Sequence, residues 1–186
     1  MNLAERKATE RAAAYARRKT AHARHRAAAS AQLESYLRGV TGQVIAGYLP
    51  IRTEADPLPA MGALSARNRI CVPVVEGHGC PLTFRDWRPG CALEEGSFKV
   101  MIPVGGAVLV PNVLIVPLVA FDAGLYRLGY GGGFYDRTLE RLRATGPVRA
   151  IGFAYGDQQT EALPLEPTDQ RLDEVVTENG VLPLDP

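Results

Sequence analysis

No apolar run in this 186-residue chain reaches the roughly 18 residues that a membrane-spanning helix needs. The best candidate, residues 108–120, is interrupted by Pro111, Asn112 and Pro117. Cysteine is scarce. Cys71, Cys80 and Cys91 cannot all pair within one chain, and their spacing fits neither a zinc site nor a redox CxxC motif. Three histidines, two of them in a basic N-terminal stretch, give no metal-ligand cluster, so the cysteines read as ordinary thiols in a reducing cytoplasm. There is no apolar signal-peptide core, internal repeat, low-complexity tail or interdomain linker, and no Ser/His/Asp or Cys/His constellation.

The composition that remains, 46% hydrophobic and 22% charged, is that of a globular protein, and the length suits one domain with a substantial core. The net charge is +1 but unevenly spread: residues 1–40 hold nine basic side chains against Glu5, Glu10 and Glu34, a local +6. Such a segment can contact nucleic acid. Here its only aromatics are Tyr15 and Tyr36, and no nucleic-acid module is recognisable, so a solvated helical face with a few bases turned toward an anionic ligand is the better reading. A mitochondrial presequence would share the Arg and Ala content, but Glu5 and Glu10 argue that the segment belongs to the fold.

Alanine and arginine favour helix over residues 4–38, with breaks expected near Thr20 and Ser30. Short β-branched apolar runs then alternate with helical stretches. Strands are expected at 44–49, 70–75, 112–116, 150–154 and 174–177, helices at 56–66 and 135–144, and antiparallel pieces at 82–87 and 98–102. This alternation predicts an α/β fold: a single-domain layered sandwich whose largely parallel central sheet is flanked by helices, with a long N-terminal helical segment. In such sheets ligands bind beyond the carboxyl ends of the strands. Residues 49–54, the segment after the central strand and Thr168–Asp169 could therefore meet in one cleft.

The segment after the central strand is the most informative. Gly129, Gly131, Gly132 and Gly133 occupy four of five positions between an apolar run (113–121) and a helix-like stretch. Glycines there let the backbone approach a ligand, and a helix N-terminus beyond them favours phosphate. Arg127 and Arg137 bracket the loop with forked donors, and Asp136 could hold a hard cation through oxygen. The sequence is neither a Walker A motif nor a dinucleotide fingerprint. Glycine spacing alone leaves a plain turn open beside a phosphate site. On a helix, Lys7 and Arg11 share a face one turn apart, which by itself is compatible with a solvated basic stripe. Asp136 and Asp169 could equally be helix or turn caps.

Phe121-Asp122, followed by Arg127-Leu128-Gly129-Tyr130-Gly131-Gly132-Gly133-Phe134-Tyr135-Asp136-Arg137, resembles the signature of 5-formyltetrahydrofolate cyclo-ligases, F-D-x-x-G-x-R-L-G-x-G-G-G-Y-Y-D-R. Further pieces in the same order extend the resemblance over nearly the whole chain. It implies an ATP- and Mg²⁺-dependent ligase that closes 5-formyltetrahydrofolate to 5,10-methenyltetrahydrofolate. The partner would be a small-molecule substrate, a reduced formyl-folate, with neither nucleic acid nor membrane, and the enzyme a cytoplasmic monomer.

The resemblance also implies roles for particular residues. Lys7, Arg11, Arg127 and Arg137 would stabilise phosphoryl charge. The nucleotide would lie along Lys7, Arg11, Arg127, Leu128, Gly129, Tyr130, Gly131, Gly132, Gly133, Phe134 and Tyr135. Folate would be held by Leu49, Glu54, Trp87, Tyr130 and Phe134, with the Glu54 carboxylate facing adjacent pterin N–H donors. Asp136 and Asp169 would attend the metal. Three departures stand out: Lys99 replaces a usual glycine, Ile102 a usual acidic residue, and Thr168 a usual histidine. They keep open a same-fold enzyme acting on another formylated amine, and a non-catalytic folate- or nucleotide-binding regulator.

Overall fold

A computed structural model describes residues 2–183. Helix α1 (Leu3–Leu37) starts at a capping box: Asn2 Oδ1 accepts the Glu5 N–H at 2.9 Å, and Glu5 Oε2 accepts the Asn2 N–H at 2.8 Å. It then runs 35 residues without the breaks expected near Thr20 and Ser30. The hydroxyls of both residues are engaged elsewhere. Thr20 Oγ1 donates to the Ala16 carbonyl, and Ser30 Oγ donates across to the Asp56 carbonyl at 2.8 Å. Ala14, Ala21, Ala29, Leu33 and Leu37 form its buried face, and small alanines let the helix lie close to the sheet.

After α1 come β1 (Val44–Ala46), α2 (Leu58–Leu64), β2 (Arg69–Val74) and β3 (Thr83–Asp86). A small hairpin follows, β4 (Leu93–Glu95) and β5 (Met101–Pro103), and then β6 (Val113–Pro117). A second, minimal hairpin is β7 (Ala120–Phe121) with β8 (Arg127–Leu128). The last elements of the described residues are α3 (Phe134–Arg143), β9 (Arg149–Phe153), β10 (Glu174–Thr177) and β11 (Gly180–Pro183). Seven strands form the central sheet in the order β11-β10-β9-β6-β1-β2-β3. The inner five are mutually parallel, and β3 and β11 close the two edges antiparallel.

Strand residues alternate between two cores, as the pleat requires. Ile45, Ile70, Ile115 and Ile151 face one layer with α1 and α2, built around Leu33, Leu37 and Met61. Ala46, Cys71, Leu114, Val116 and Ala150 face the other with α3, through Leu139 and Leu142. The result is the expected helix–sheet–helix sandwich. No helix among the described residues is long and apolar enough to cross a membrane. All three cysteines are free.

Three details differ from the sequence reading. The 113–121 run splits into β6 and β7, so the glycine loop is entered from β8 rather than from the central strand. Asp122 makes that hairpin: its carboxylate accepts the Tyr126 and Leu163 N–H groups, while Leu125 adopts φ 60°. Second, 98–102 is not one strand. A 3₁₀ turn (Ser97–Lys99) with φ near +60° at both Phe98 and Lys99 delays the strand to Met101. Third, β11 adds an edge strand at the end of the sheet that periodicity did not reveal.

Candidate active site

A cavity of about 370 Å³ opens beyond the carboxyl ends of β1, β2 and β6, where an open parallel sheet offers a ligand crevice. Its wall combines residues remote in sequence: Lys7 and Arg11 of α1, Leu49 and Glu54 after β1, the 127–136 segment, and Glu166 with Asp169. The convergence predicted for residues 49–54, the glycine loop and Asp169 is therefore realised.

At one end lies a cluster of charges. Lys7 Nζ sits between Glu166 Oε2 (2.7 Å) and Asp169 Oδ2 (2.8 Å). Burial works against this ammonium, but hydrogen bonds and charge from Asp169 and Glu166 outweigh it and raise its pKa above the usual lysine value. Arg11 Nε donates to the Gly129 carbonyl at 2.8 Å, pinning the start of the glycine loop to α1. Arg127 has a side chain only 4% exposed; it donates to the Gln170 carbonyl at 2.8 Å and pairs with Asp136 Oδ1 at 3.0 Å. Burial lowers its pKa and the Asp136 charge opposes this. Arg127 thus spends its fork on organising the acidic end of the site.

Two of the loop glycines are required conformationally. Gly131 and Gly133 have φ of 103° and 62°, and a Cβ on Gly133 would meet Arg137 Nη1 at 2.7 Å. Arg137 folds back so that Nη2 donates to the Gly132 carbonyl, with its guanidinium over the Phe134 ring. It is not among the residues lining the cavity. Two buried polar atoms here have no partner among the described residues, Arg137 Nε and the Tyr135 hydroxyl. Tyr135 lines the cavity at the first turn of α3, and an orphaned buried donor in such a place calls for a ligand acceptor. Together with the free N–H groups at the N-terminus of α3, these donors fit a phosphate chain.

The donor set also fits Mg²⁺. Asp136 and Asp169 both line the cavity. Asp136 makes its contacts through Oδ1, to Arg127 and the Gln170 N–H; Asp169 makes its contacts through Oδ2, to Lys7 and the Glu166 N–H. The second oxygen of each is left for a cation. No cluster of three acidic, histidine or cysteine side chains forms a metal cage among the described residues. Few carboxylates and much water suit a magnesium that arrives on phosphates.

The opposite end is more apolar and holds a single buried carboxylate. Glu54 is 5% exposed; Oε2 accepts the Ile51 N–H at 2.9 Å and Oε1 accepts the Tyr130 hydroxyl at 2.8 Å. Burial raises its pKa, against these two hydrogen bonds and the charge of Arg18. Leu49, Val72, Pro73, Phe98, Met101 and Phe134 supply apolar wall, with the Phe98 and Phe134 rings edge to face at 5.9 Å.

Trp87 is corrected. It is packed with the α1/α2 core, 7% exposed, and does not line the cavity. As the edge-strand partner of Ile70 through its backbone N–H, it fills space behind the sheet. The wall also contains residues that the sequence reading missed. Glu166 lies three residues before Asp169 in a Pro-bracketed acidic turn, which was a usable signal; Phe98 gave none. Lys99, Ile102 and Thr168, the three departures from the expected pattern, all lie outside the lining.

A profile of the 5-formyltetrahydrofolate cyclo-ligase family matches residues 3–178. The 5-formyltetrahydrofolate cyclo-ligase of Escherichia coli (strain K12) is 35% identical over 160 residues, covering 82% of this chain and 87% of that protein. The protein of the same name from Mycolicibacterium smegmatis is 30% identical over 169 residues, covering 82% and 84%. The solution structure of 5,10-methenyltetrahydrofolate synthetase from Aquifex aeolicus shares the fold, with a TM-score of 0.78, 30% identity and coverage of 97% and 93%.

Proposed function

This chain belongs to the 5-formyltetrahydrofolate cyclo-ligase family, and from that premise we propose that it closes 5-formyltetrahydrofolate to 5,10-methenyltetrahydrofolate, using ATP and Mg²⁺ and releasing ADP and phosphate. The observation that carries this reading is the reach of one loop. Gly129 is tied to the basic helix through Arg11, and the next residue, Tyr130, is bonded to Glu54 at the other end of the cavity. A nucleotide along the glycines and a pterin against Glu54 would place their reacting ends together.

The chemistry needs such a site. A formamide oxygen is a poor leaving group, so the N5-formyl oxygen attacks the γ-phosphorus of ATP and ADP departs. The N10 amine then adds to the activated formyl carbon and gives up its proton, and loss of phosphate leaves the methenyl bridge. Lys7, Arg11 and the loop N–H groups would hold phosphate charge, and Arg137, behind the lining, would brace the loop through the Gly132 carbonyl. Arg127 would keep Asp136 and the 169–170 segment in register. Mg²⁺, held by Asp136 and Asp169, would neutralise phosphate oxygens when bound. Apolar walls at Phe98, Met101 and Phe134 would keep water from the activated carbon. No protein nucleophile is required.

We further place this activity in the cytoplasm, in a monomer that completes its site from one chain. The test is ATP-dependent formation of the methenyl chromophore by purified protein supplied with Mg²⁺, with ADP measured in parallel. Turnover at a one-to-one ratio is expected; absence of both products would overturn the assignment.

A further inference from the structure

Among the described residues Arg18 is the largest fully buried side chain, at 1% exposure, and it forms no ion pair. Its Nε donates to Thr53 Oγ1 at 3.1 Å, and Nη1 reaches the Leu118 carbonyl at 3.5 Å. The guanidinium lies 5.3 Å from the Tyr15 ring centroid and 5.6 Å from that of Tyr130; the two rings are 5.9 Å apart. A buried cation is costly without compensation, and the neutral acceptors, with the Tyr130 hydroxyl among them, and two ring faces compensate only in part. The remaining counter-charge is Glu54. It adjoins Thr53, and its Oε1 accepts the hydroxyl of the same Tyr130 whose ring Arg18 faces.

We propose that Arg18 is a positioning residue for the folate end of the site: it seats the Tyr130 ring and the Thr53–Glu54 segment together, so that the Glu54 carboxylate is presented to the substrate as a charged acceptor. This rests on the function proposed above. Arg18 does not line the cavity and touches no reacting atom. It acts by joining α1, the loop after β1, the end of β6 and the glycine loop, the segments from which the cavity is built. Each carboxylate oxygen of Glu54 uses one lone pair on Ile51 or Tyr130 and keeps another for a pterin N–H donor.

The surroundings of Glu54 make charge the decisive variable. Tyr130 approaches from the glycine loop, Tyr15 from α1, Tyr48 from the end of β1 and Tyr135 from α3, while the Tyr155 hydroxyl reaches the Glu54 backbone carbonyl. Burial raises the pKa of each of these phenols, so all are neutral at physiological pH. Burial pushes the carboxyl the same way, and Arg18 is the cation that opposes it.

The test follows the Glu54 carboxyl by ¹³C NMR against pH in ligand-free protein, assigned with Glu54→Gln, in wild type, Arg18→Met, Arg18→Lys and Tyr130→Phe. Binding of 5-formyltetrahydrofolate and of a non-hydrolysable Mg·ATP analogue is measured on the same proteins. In Arg18→Met the titration midpoint should rise by about one unit or more. Folate Kd should weaken at least about tenfold near neutral pH, with its acidic limb displaced upward. Nucleotide-analogue binding should change less than about twofold, and Arg18→Lys should restore the midpoint. An unchanged Glu54 midpoint in Arg18→Met, or equal losses of folate and nucleotide-analogue binding, would overturn the proposal. If Arg18→Met does not fold, Tyr130→Phe decides. Losing only the hydroxyl should raise the midpoint while Arg18 stays in place, and an unmoved midpoint removes the relay. Because the titration needs no ligand, a wild type that binds no formyl-folate would count against the proposed function and leave the Arg18 result standing.

Discussion

Glu54 carries a cost that its proposed role at the folate end would explain. For a carboxyl buried to 5% exposure, with its pKa raised chiefly by burial, the charge is less favourable in the folded protein than in the unfolded chain. A folded pKa above the unfolded value means that this contribution to stability is full below about pH 4.5 and is lost as pH rises through the folded value. Glu54→Gln should therefore stabilise the protein at pH 7, by about 1 kcal/mol, while formyl-folate binding falls at least about tenfold. Thermal melts at pH 7 and pH 5 check the sign, since the advantage of the variant should shrink at the lower pH. Asp136 runs the other way. Asp136→Asn removes the partner of a 4%-exposed Arg127 side chain, so a stability loss on the order of 3 kcal/mol should accompany any kinetic effect. If Asp136 also holds Mg²⁺, turnover should fall by more than about tenfold and half-saturation by Mg²⁺ should move to higher concentration. Unchanged Mg²⁺ dependence, in a variant that remains folded, would restrict Asp136 to pairing with Arg127.

At the scale of elements, what could be read beforehand depended on length and on where side chains met. The five parallel strands announced themselves as β-branched runs, and β10 was placed to the residue. β4, β7 and β8, of two or three residues each, are too short to show any period. The continuity of α1 depended on Ser30 finding the Asp56 carbonyl, a tertiary fact. The glycine loop and its acidic partner were legible because they form a contiguous motif. Arg18 was not, because its importance lies in two rings and a hydroxyl brought from elsewhere; Trp87 was given to the pocket by resemblance, and packing puts it in the core. One departure from the expected pattern now has a structural reading. Lys99 stands where glycine is usual and adopts φ 59°, a conformation that costs an L-residue roughly 1 kcal/mol. Lys99→Gly should raise the unfolding midpoint slightly, by less than about 1 kcal/mol, and leave turnover unchanged because Lys99 lies outside the cavity. Chemical denaturation with steady-state kinetics tests both halves.

Over the whole molecule, the two charged ends of the sequence are fastened to each other at the site. Lys7 bonds to Glu166 and Asp169 across separations of 159 and 162 residues. Removing the ammonium leaves two carboxylates facing each other over a part-buried gap, so Lys7→Met should loosen the 166–170 turn as well as weaken phosphate binding. Hydrogen exchange should report the first effect: faster exchange at the Asp169 and Gln170 amides, which donate to Glu166 and Asp136, with β6 and β9 amides unchanged. Exchange equally fast across the sheet would mean instead that α1 anchors the entire fold.

The same fastening sets a schedule for synthesis. A ribosome delivers Lys7 and Arg11 before the glycine loop, and the carboxylates that hold Lys7 later still. Until Asp169 has cleared the exit tunnel, the nascent chain can form the strands up to β9 and even the glycine turn, but Lys7 has no anchor and the charged end of the cavity lacks Glu166 and Asp169. The charged end of the cavity is thus completed only when the 166–169 turn has joined α1, and a shorter nascent chain would lack part of the site proposed here for ATP.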